Sequence, residues 1–375
     1  MPELWAEAGT VEVKRNLKLY WANVLQLKGI GYGYTVHQKN LRAALEKMGV
    51  EIVEDKEQAD VAITIIPAGN YERVKKKTGD MFNVLYTMYE CVEIPNNWIP
   101  KVNDADLIVV PSSQNERLFK KYTDKPIHIC WEGVDVERFV YKKREKSFPF
   151  TYLWVGASNE RKGYVHTIVA WGKFMNEYPE IGNKCRLIMK TTQLTDNQER
   201  IIGYKDGKAI YQKMPRERIF TADNAVVDTR DLPVDQLAGL YHTAHCFLFP
   251  TMGEGFGLTL AEAMATGLPC IYTGWGGQVD FISGKEGYPL KFTMAGIKAM
   301  TPTPEGWRVD LATKAASADV DHLVRRMVQV YEDYDTALEK GKRAAERIRK
   351  DITWDKSAQR FMEIVQEGYS QWMQR

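Results

Sequence analysis

Short apolar runs rich in β-branched and aromatic residues recur along this chain, each followed by a stretch with helical spacing, an alternation that leaves few folds open. "LKLYWANV" (17–24) reads as a first strand, followed by the loop "LQLKGIGYGY" and the helix "TVHQKNLRAALEKMG". Further strands are expected at "VEIVED", "ADVAITIIP", "FNVLYTMY", "ADLIVVPS" and "KPIHICWEGV". Around 140–149 the pattern breaks. "FVYKKREKSFPF" is charged, ends near Pro149 and suits an exposed linker. Alternation then starts afresh with the strand "FTYLWVGA" (150–157), a helix over "GYVHTIVAWGKFMNEY" and the strand "CRLIMKT". A hairpin is expected around "YKDGKAIYQ", followed by the helix "LPVDQLAGLYHTA", the strands "HCFLFP" and "PCIYTG", and the amphipathic helix "VDHLVRRMVQVYEDY". A last helix carries Trp354, Phe361, Ile364, Val365, Tyr369 and Trp372. Such alternation specifies mainly parallel sheets with helices on both faces, that is, two doubly wound α/β domains in series.

Length agrees, because 375 residues exceed what one hydrophobic core ordinarily organises. No apolar run approaches the ~20 residues that a spanning helix needs, and the N-terminal stretch lacks the order of a secretory signal. Five cysteines lie scattered in apolar stretches without metal-ligand spacing, so reduced buried thiols and a cytoplasmic location are expected. A net charge of +2 argues against a dedicated nucleic-acid binder. The basic clumps "VKKKT", "YKKREK" and "KGKRAAERIRK" read as solvated faces, with peripheral contact to anionic lipid as the functional alternative.

One segment carries chemistry. "GEGFGLTLAEAMATGLP" (253–269) places Glu254 beside a glycine-rich turn and Glu262 within an apolar, alanine-rich helix. In a doubly wound domain ligands collect at the carboxyl ends of the strands, so "TMGEGFG" forms a crevice loop between the strand "HCFLFP" and the next helix. Its glycines expose backbone N–H groups at a helix N-terminus, a natural anion site. A charged Glu262 buried in that helix needs a partner. Two carboxylates flanking an anion cradle match a ligand with hydroxyls at both ends and a diphosphate between them, the layout of a nucleotide sugar. The other reading pairs Glu262 with an arginine of its own domain and leaves Glu254 as a turn residue.

"PTMGEGFGLTLAEAMATGLPCI" resembles the E-x7-E signature of retaining glycosyltransferases of the GT-B fold, in particular glycosyltransferase family 4 (glycosyl transferases group 1). "VGASNERKG" (155–163) resembles that family's strand-to-helix loop ahead of its phosphate-binding lysine. "ADLIVVPSSQNERLF" and "WEGVDVERF" resemble its inter-domain stretch. The resemblance implies two Rossmann-like doubly wound domains facing across a cleft. It divides the chain into an acceptor-side domain over 1–148, a nucleotide-sugar-binding domain over 149–350, and a helix over 351–375 that packs back on the first domain. It implies a metal-independent, retaining transfer of a hexose from a nucleotide-diphosphate sugar to a hydroxyl acceptor, carbohydrate, lipid-linked or other, with no cofactor.

By matching positions, Glu254 and the backbone from Gly255 through Phe256 and Gly257 to Leu258 would hold the donor. Glu262 would accept from the ribose hydroxyls, and Lys162 with Arg161 would neutralise the departing diphosphate beside Gly156. Gly31 and Gly33, in "KGIGYGY", match the family's glycine-rich loop facing the donor phosphates. Two departures stand out. Ala157 occupies the position of a common arginine, which shifts phosphate neutralisation to Arg161, Lys162 and Lys190. No histidine occurs in "LYTMYECVEIP", where Glu90 or Tyr89 stands instead; Glu90 is a candidate for binding the acceptor hydroxyl. These departures keep a non-catalytic nucleotide-sugar binder open, and the scaffold also admits a phosphorylase or an epimerase. Asp104 in "DAD" is expected to be a turn residue and His37 and His166 surface or core residues. His242 and His245 are not expected to hold a metal.

Overall fold

The computed structural model describes residues 17–22, 32–191, 199–205, 208–213, 219–222, 224–230, 232–303 and 306–375, with side chains described in 17–22, 33–191, 224–230, 232–297 and 312–375. The chain forms two compact units: Met1–Gly133 with Lys298–Thr313 and Asp351–Arg375, and Val134–Ile297 with Lys314–Lys350.

In the first unit, strands β1 (Leu19–Trp21), β2 (Ile52–Val53), β3 (Val61–Ile65), β4 (Phe82–Tyr86), β5 (Leu107–Val110) and β6 (Ile127–Ile129) form one sheet in the order β2-β1-β3-β4-β5-β6. Every pairing in it is parallel. Parallel strands covered on both faces are apolar along their whole length, and β3, β4 and β5 are buried at every position. Helices α1 (Tyr32–Lys47), α2 (Tyr71–Thr78), α3 (Ile99–Asn103) and α4 (Ser113–Phe119) connect the strands. Ser112 caps α4, its hydroxyl accepting from the Asn115 N–H at 3.4 Å. Asp104 caps the end of α3. His37 of α1 is fully buried, with Nδ1 3.2 Å from the equally buried Glu132 and its ring edge-on to Tyr86.

In the second unit, β7 (Phe150–Val155), β8 (Cys185–Lys190), a hairpin of β9 (Glu199–Lys205) and β10 (Lys208–Lys213), β11 (Ile219–Ala222), β12 (Ala225–Asp228), β13 (Cys246–Phe249), β14 (Cys270–Thr273) and β15 (Tyr288–Leu290) follow in turn. The main sheet runs β11-β12-β8-β7-β13-β14-β15 and is parallel except for its antiparallel edge strand β11. The hairpin expected around "YKDGKAIYQ" is the β9–β10 pair. A longer ribbon, β16 (Phe292–Thr303) with β17 (Gly306–Ala318), of which Lys298–Thr313 is counted with the first unit, has no counterpart in the sequence reading.

Alternation along β7 divides the core. Phe150, Tyr152 and Trp154 face a cluster built from α5 (Tyr164–Glu177), through Ala170, Trp171 and Phe174, and from α9 (Val320–Glu332), through Leu323, Val324 and Met327. After α6 (Pro179–Gly182), helices α7 (Val234–Thr243) and α8 (Leu258–Ala265) pack on β7, β13 and β14. Helix α9 (Val320–Glu332) starts where Asp319 accepts from the His322 N–H at 2.8 Å. Its apolar stripe keeps the helical period, and α10 (Tyr334–Asp351) follows it. Helix α11 (Trp354–Trp372) belongs to the first unit, where it packs on α1 and where Ser357 Oγ donates to the Trp131 carbonyl at 2.7 Å.

The structure qualifies one local reading and corrects another. The stretch expected to be an exposed linker is exposed from 140 to 149 except at Arg144, which is 7% exposed and donates to the carbonyls of Lys142, Tyr241, Ala244 and Thr266. A guanidinium carries five donors in a fixed fork, so it can bury itself where several carbonyls converge. Gly33, expected in a glycine-rich loop, lies in the first turn of α1, and a methyl group there would meet nothing within 4 Å.

Candidate active site

The loops that leave the carboxyl ends of β7, β13 and β14 meet in the second unit. Gly163 makes this contact possible. Its φ is +74°, and a Cβ there would lie 2.2 Å from the Pro250 carbonyl oxygen. The Met252 N–H donates to the Arg161 carbonyl at 2.7 Å, tying the β13 loop to the β7 loop. On the other side the Gly277 N–H donates to the Glu254 carbonyl at 2.9 Å, and a Cβ at Gly277 would lie 2.0 Å from the Gly255 oxygen. Backbone can approach that closely only past glycine.

These loops bring together Arg161, Lys162 and Glu254. Lys162 Nζ donates to both Glu254 carboxylate oxygens at 2.8 Å. Arg161 Nη1 donates to the Gly253 carbonyl at 2.7 Å and stands 3.6 Å from Glu254 Oε2. Thr251 Oγ1 donates to Glu254 Oε1 at 3.2 Å. Glu254 is only 6% exposed. Burial alone would raise its pKa, but Lys162 and Arg161 outweigh that and hold the carboxyl below its ordinary 4.5. Two cations around one carboxylate leave local positive charge. Gly257 enters α8 at φ +114° with Leu258 the first helical residue, so the first N–H groups of α8, which have no partner one turn earlier, open onto the same loop. Gly156 closes the β7 side, where a Cβ would sit 3.6 Å from Lys162 Cβ.

Phe256 turns inward. Its ring is buried and lies tilted against Phe281, centroids 4.7 Å apart, so in this loop it offers its backbone. Glu262 is buried in α8, where the Tyr241 hydroxyl donates to its Oε2 at 3.0 Å. Lys190, at the end of β8, is buried with Nζ donating to the carbonyls of Thr191 (2.8 Å) and Arg230 (2.7 Å). Glu90 lies in the first unit beyond β4, with Tyr34 nearby, and is half-buried. Gly31 lies outside the described residues. Among the described residues no group of three or more His, Cys, Asp or Glu side chains is placed to hold a metal ion, and no helix is long and apolar enough to cross a membrane.

Sequence reasoning missed three contributors. Thr251 offered only a hydroxyl three positions before Glu254. Tyr241 read as one apolar face of α7. The base of the long ribbon is tied into the site, because the Ala316 N–H donates to the Met252 carbonyl at 2.9 Å and His166 Nε2 lies 2.9 Å from Ser317 Oγ.

Comparison with known proteins bears on the family and the fold. Residues 102–361 match the family described as family 4 glycosyltransferase in conflict systems. Glycogen synthase of Mycobacterium tuberculosis (strains CDC 1551 / Oshkosh and ATCC 25618 / H37Rv) is 22% identical over 267 residues, covering 70% of this chain and 54% of that protein. The chain thus spans about half the length of the curated relatives it matches. Among solved structures, sucrose-phosphate synthase from Thermosynechococcus elongatus superposes with a TM-score of 0.60 at 15% identity, over 90% of this chain and 79% of that one. Anabaena Alr3699/HepE, solved in complex with UDP and glucose, gives a TM-score of 0.62 at 10% identity, over 94% of this chain and all of that one. These likenesses show the fold, GT-B with two Rossmann-like α/β domains.

Proposed function

Since this chain belongs to the family 4 glycosyltransferases in conflict systems, we propose that it moves a hexose from a nucleotide-diphosphate sugar to a hydroxyl acceptor, with retention of configuration and without a metal ion. The observation that carries this reading is the grip of Lys162 on both oxygens of buried Glu254, with Arg161 alongside, at the N-terminus of α8. Cleaving the donor's glycosidic bond places negative charge on the departing diphosphate. Cations and helix N–H groups gathered around such a position would stabilise that charge. In this reading Lys162 and Arg161 take the diphosphate, with Lys190 behind them. Glu254 and the backbone of Gly255, Phe256, Gly257 and Leu258 orient the sugar. Glu262 accepts from the ribose hydroxyls. Glu90, in the first unit, is the residue we assign to the acceptor hydroxyl.

That two of the solved neighbours are a sucrose-phosphate synthase and a protein holding UDP and glucose supports a nucleotide-sugar donor. The test is nucleotide release from a panel of UDP-, GDP- and ADP-sugars with added chelator, for the native chain and for Lys162→Ala. Release from one donor, strongly reduced by the substitution, is expected. Release from no donor, or equal release by both proteins, overturns the reading.

A further inference from the structure

Away from the Glu254 loop, at the amino end of edge strand β15, Tyr288 lies beneath a group of cations. Its ring is 3% exposed, with Lys340 Nζ 5.2 Å and Arg326 Cζ 5.9 Å from the ring centroid. Arg343, one turn beyond Lys340 on α10, donates from Nε to the Lys285 carbonyl at 3.0 Å, while Lys340 Nζ donates to the Gly284 carbonyl. These bonds hold the 284–285 turn against α10 and place three cations from two helices around one aromatic residue. The acids that act on this group are Glu286 and Asp333, and Glu286 Oε2 is committed to the N–H and hydroxyl of Ser283. Lys340 is held below its ordinary pKa by burial, and Arg343 and Arg326 add to that effect.

A second observation points to a ligand. The Tyr288 hydroxyl and Arg326 Nε are both buried donors without a hydrogen-bond partner among the described residues. A buried donor left unmet weakens the fold. Crowded cations beside unmet donors are what an acceptor-only, doubly charged group satisfies.

We propose that Tyr288, Arg326, Lys340 and Arg343 form a second anion site, outside the donor loop, that takes the phosphate of a phosphorylated small molecule. Arg326 and Lys340 swing from the ring onto the phosphate oxygens, and the Tyr288 hydroxyl donates from below. Ligand occupancy is communicable to the donor loop through backbone alone. Tyr288 pairs with Ile271 of β14, the Gly274 N–H following β14 donates to the Leu290 carbonyl, and Gly277 binds Glu254.

Inorganic phosphate is the probe, titrated calorimetrically into the full chain at ionic strength fixed with chloride. The titration is run in a Lys162→Ala background, which weakens the site proposed for the donor diphosphate, and the further substitutions at Lys340 and Tyr288 leave that site untouched, so the two readings fail separately. Saturable binding is expected there, weakened about tenfold or more by Lys340→Gln and several-fold by Tyr288→Phe. Tyr288→Phe keeps the ring, so its unfolding temperature without phosphate should equal or exceed that of its parent, while the parent gains more on adding phosphate. No saturable heat in the Lys162→Ala chain, or binding indifferent to both further substitutions, would overturn the site.

Discussion

The Tyr241 hydroxyl lies 3.0 Å from Glu262 Oε2, joining a helix face that reads as purely apolar to the one acid inside α8. The same hydroxyl reaches the Thr259 carbonyl at 3.3 Å. Tyr241→Phe should keep the ring packed against Phe139 and Phe247 and remove only a donor to a buried charge. A loss of about 1.5–3 kcal/mol is expected in urea unfolding, with weaker nucleotide binding as Glu262 loses one of the partners that orient it. Unchanged stability would mean the hydroxyl contributes nothing to holding the acid.

Glu254 gives an acid-limb signature. Its carboxyl is held below 4.5 in the folded chain, so ionisation stabilises the fold above that value and the contribution disappears as pH falls through the folded pKa. Native protein should lose stability on acidification below 4.5 in a component that Glu254→Gln lacks. Parallel curves for the two proteins across that range would show that Lys162 does not stabilise the carboxylate.

His245 acts in a higher window. Burial, with Arg144, Arg186 and Lys142, pushes its pKa from 6.5 to about 4, while Nδ1 accepts from the Thr151 N–H at 2.9 Å and Nε2 faces Ser147 Oγ at 2.7 Å. The unfolded chain therefore takes up the proton first. Stability from the neutral ring is complete above pH 6.5 and is lost as pH falls from 6.5 toward 4. His245→Gln should be less stable at neutral pH but flatter across that interval. A native profile with no slope there refutes the buried neutral ring.

Gly163→Ala should damage the site from behind. The substitution places a side chain at φ +74° and a methyl 2.2 Å from the Pro250 carbonyl, so the β7 and β13 loops must part. Left-handed strain alone costs about 1–2 kcal/mol, and nucleotide release should fall together with thermal stability. Normal activity in this variant would show that the loops can separate without consequence.

All five cysteines are free and buried, with Cys130 and Cys185 pushed up to about 12 by burial. A thiol reagent at neutral pH should therefore label the folded chain slowly and all five sites rapidly after denaturation. Fast labelling of the folded protein would contradict the packing.

Alternation of apolar runs was legible because hydrophobic period is a local property, fixed by which face of each strand or helix must leave water. It placed β3, β5, β7, β13 and α9 and the loop that carries Glu254 within a few residues. The same local reading failed where a segment's fate rests on distant partners. Arg144 reads as one charge in a run of charges, yet is buried because carbonyls from the end of α7 and the end of α8 converge on it. The β16–β17 ribbon falls outside the strand-then-helix alternation, because its two strands follow one another with no helix between them.

The sequence by itself determined two parallel-sheet α/β domains and the crevice loop with a glutamate on it, since each follows from spacing over a dozen neighbouring positions. Only the tertiary structure decided who meets whom: Lys162 with Glu254 across 92 positions, His37 with Glu132 across 95. Electrostatic partnership depends on distance in space, and distance in space is set by the order in which strands join a sheet.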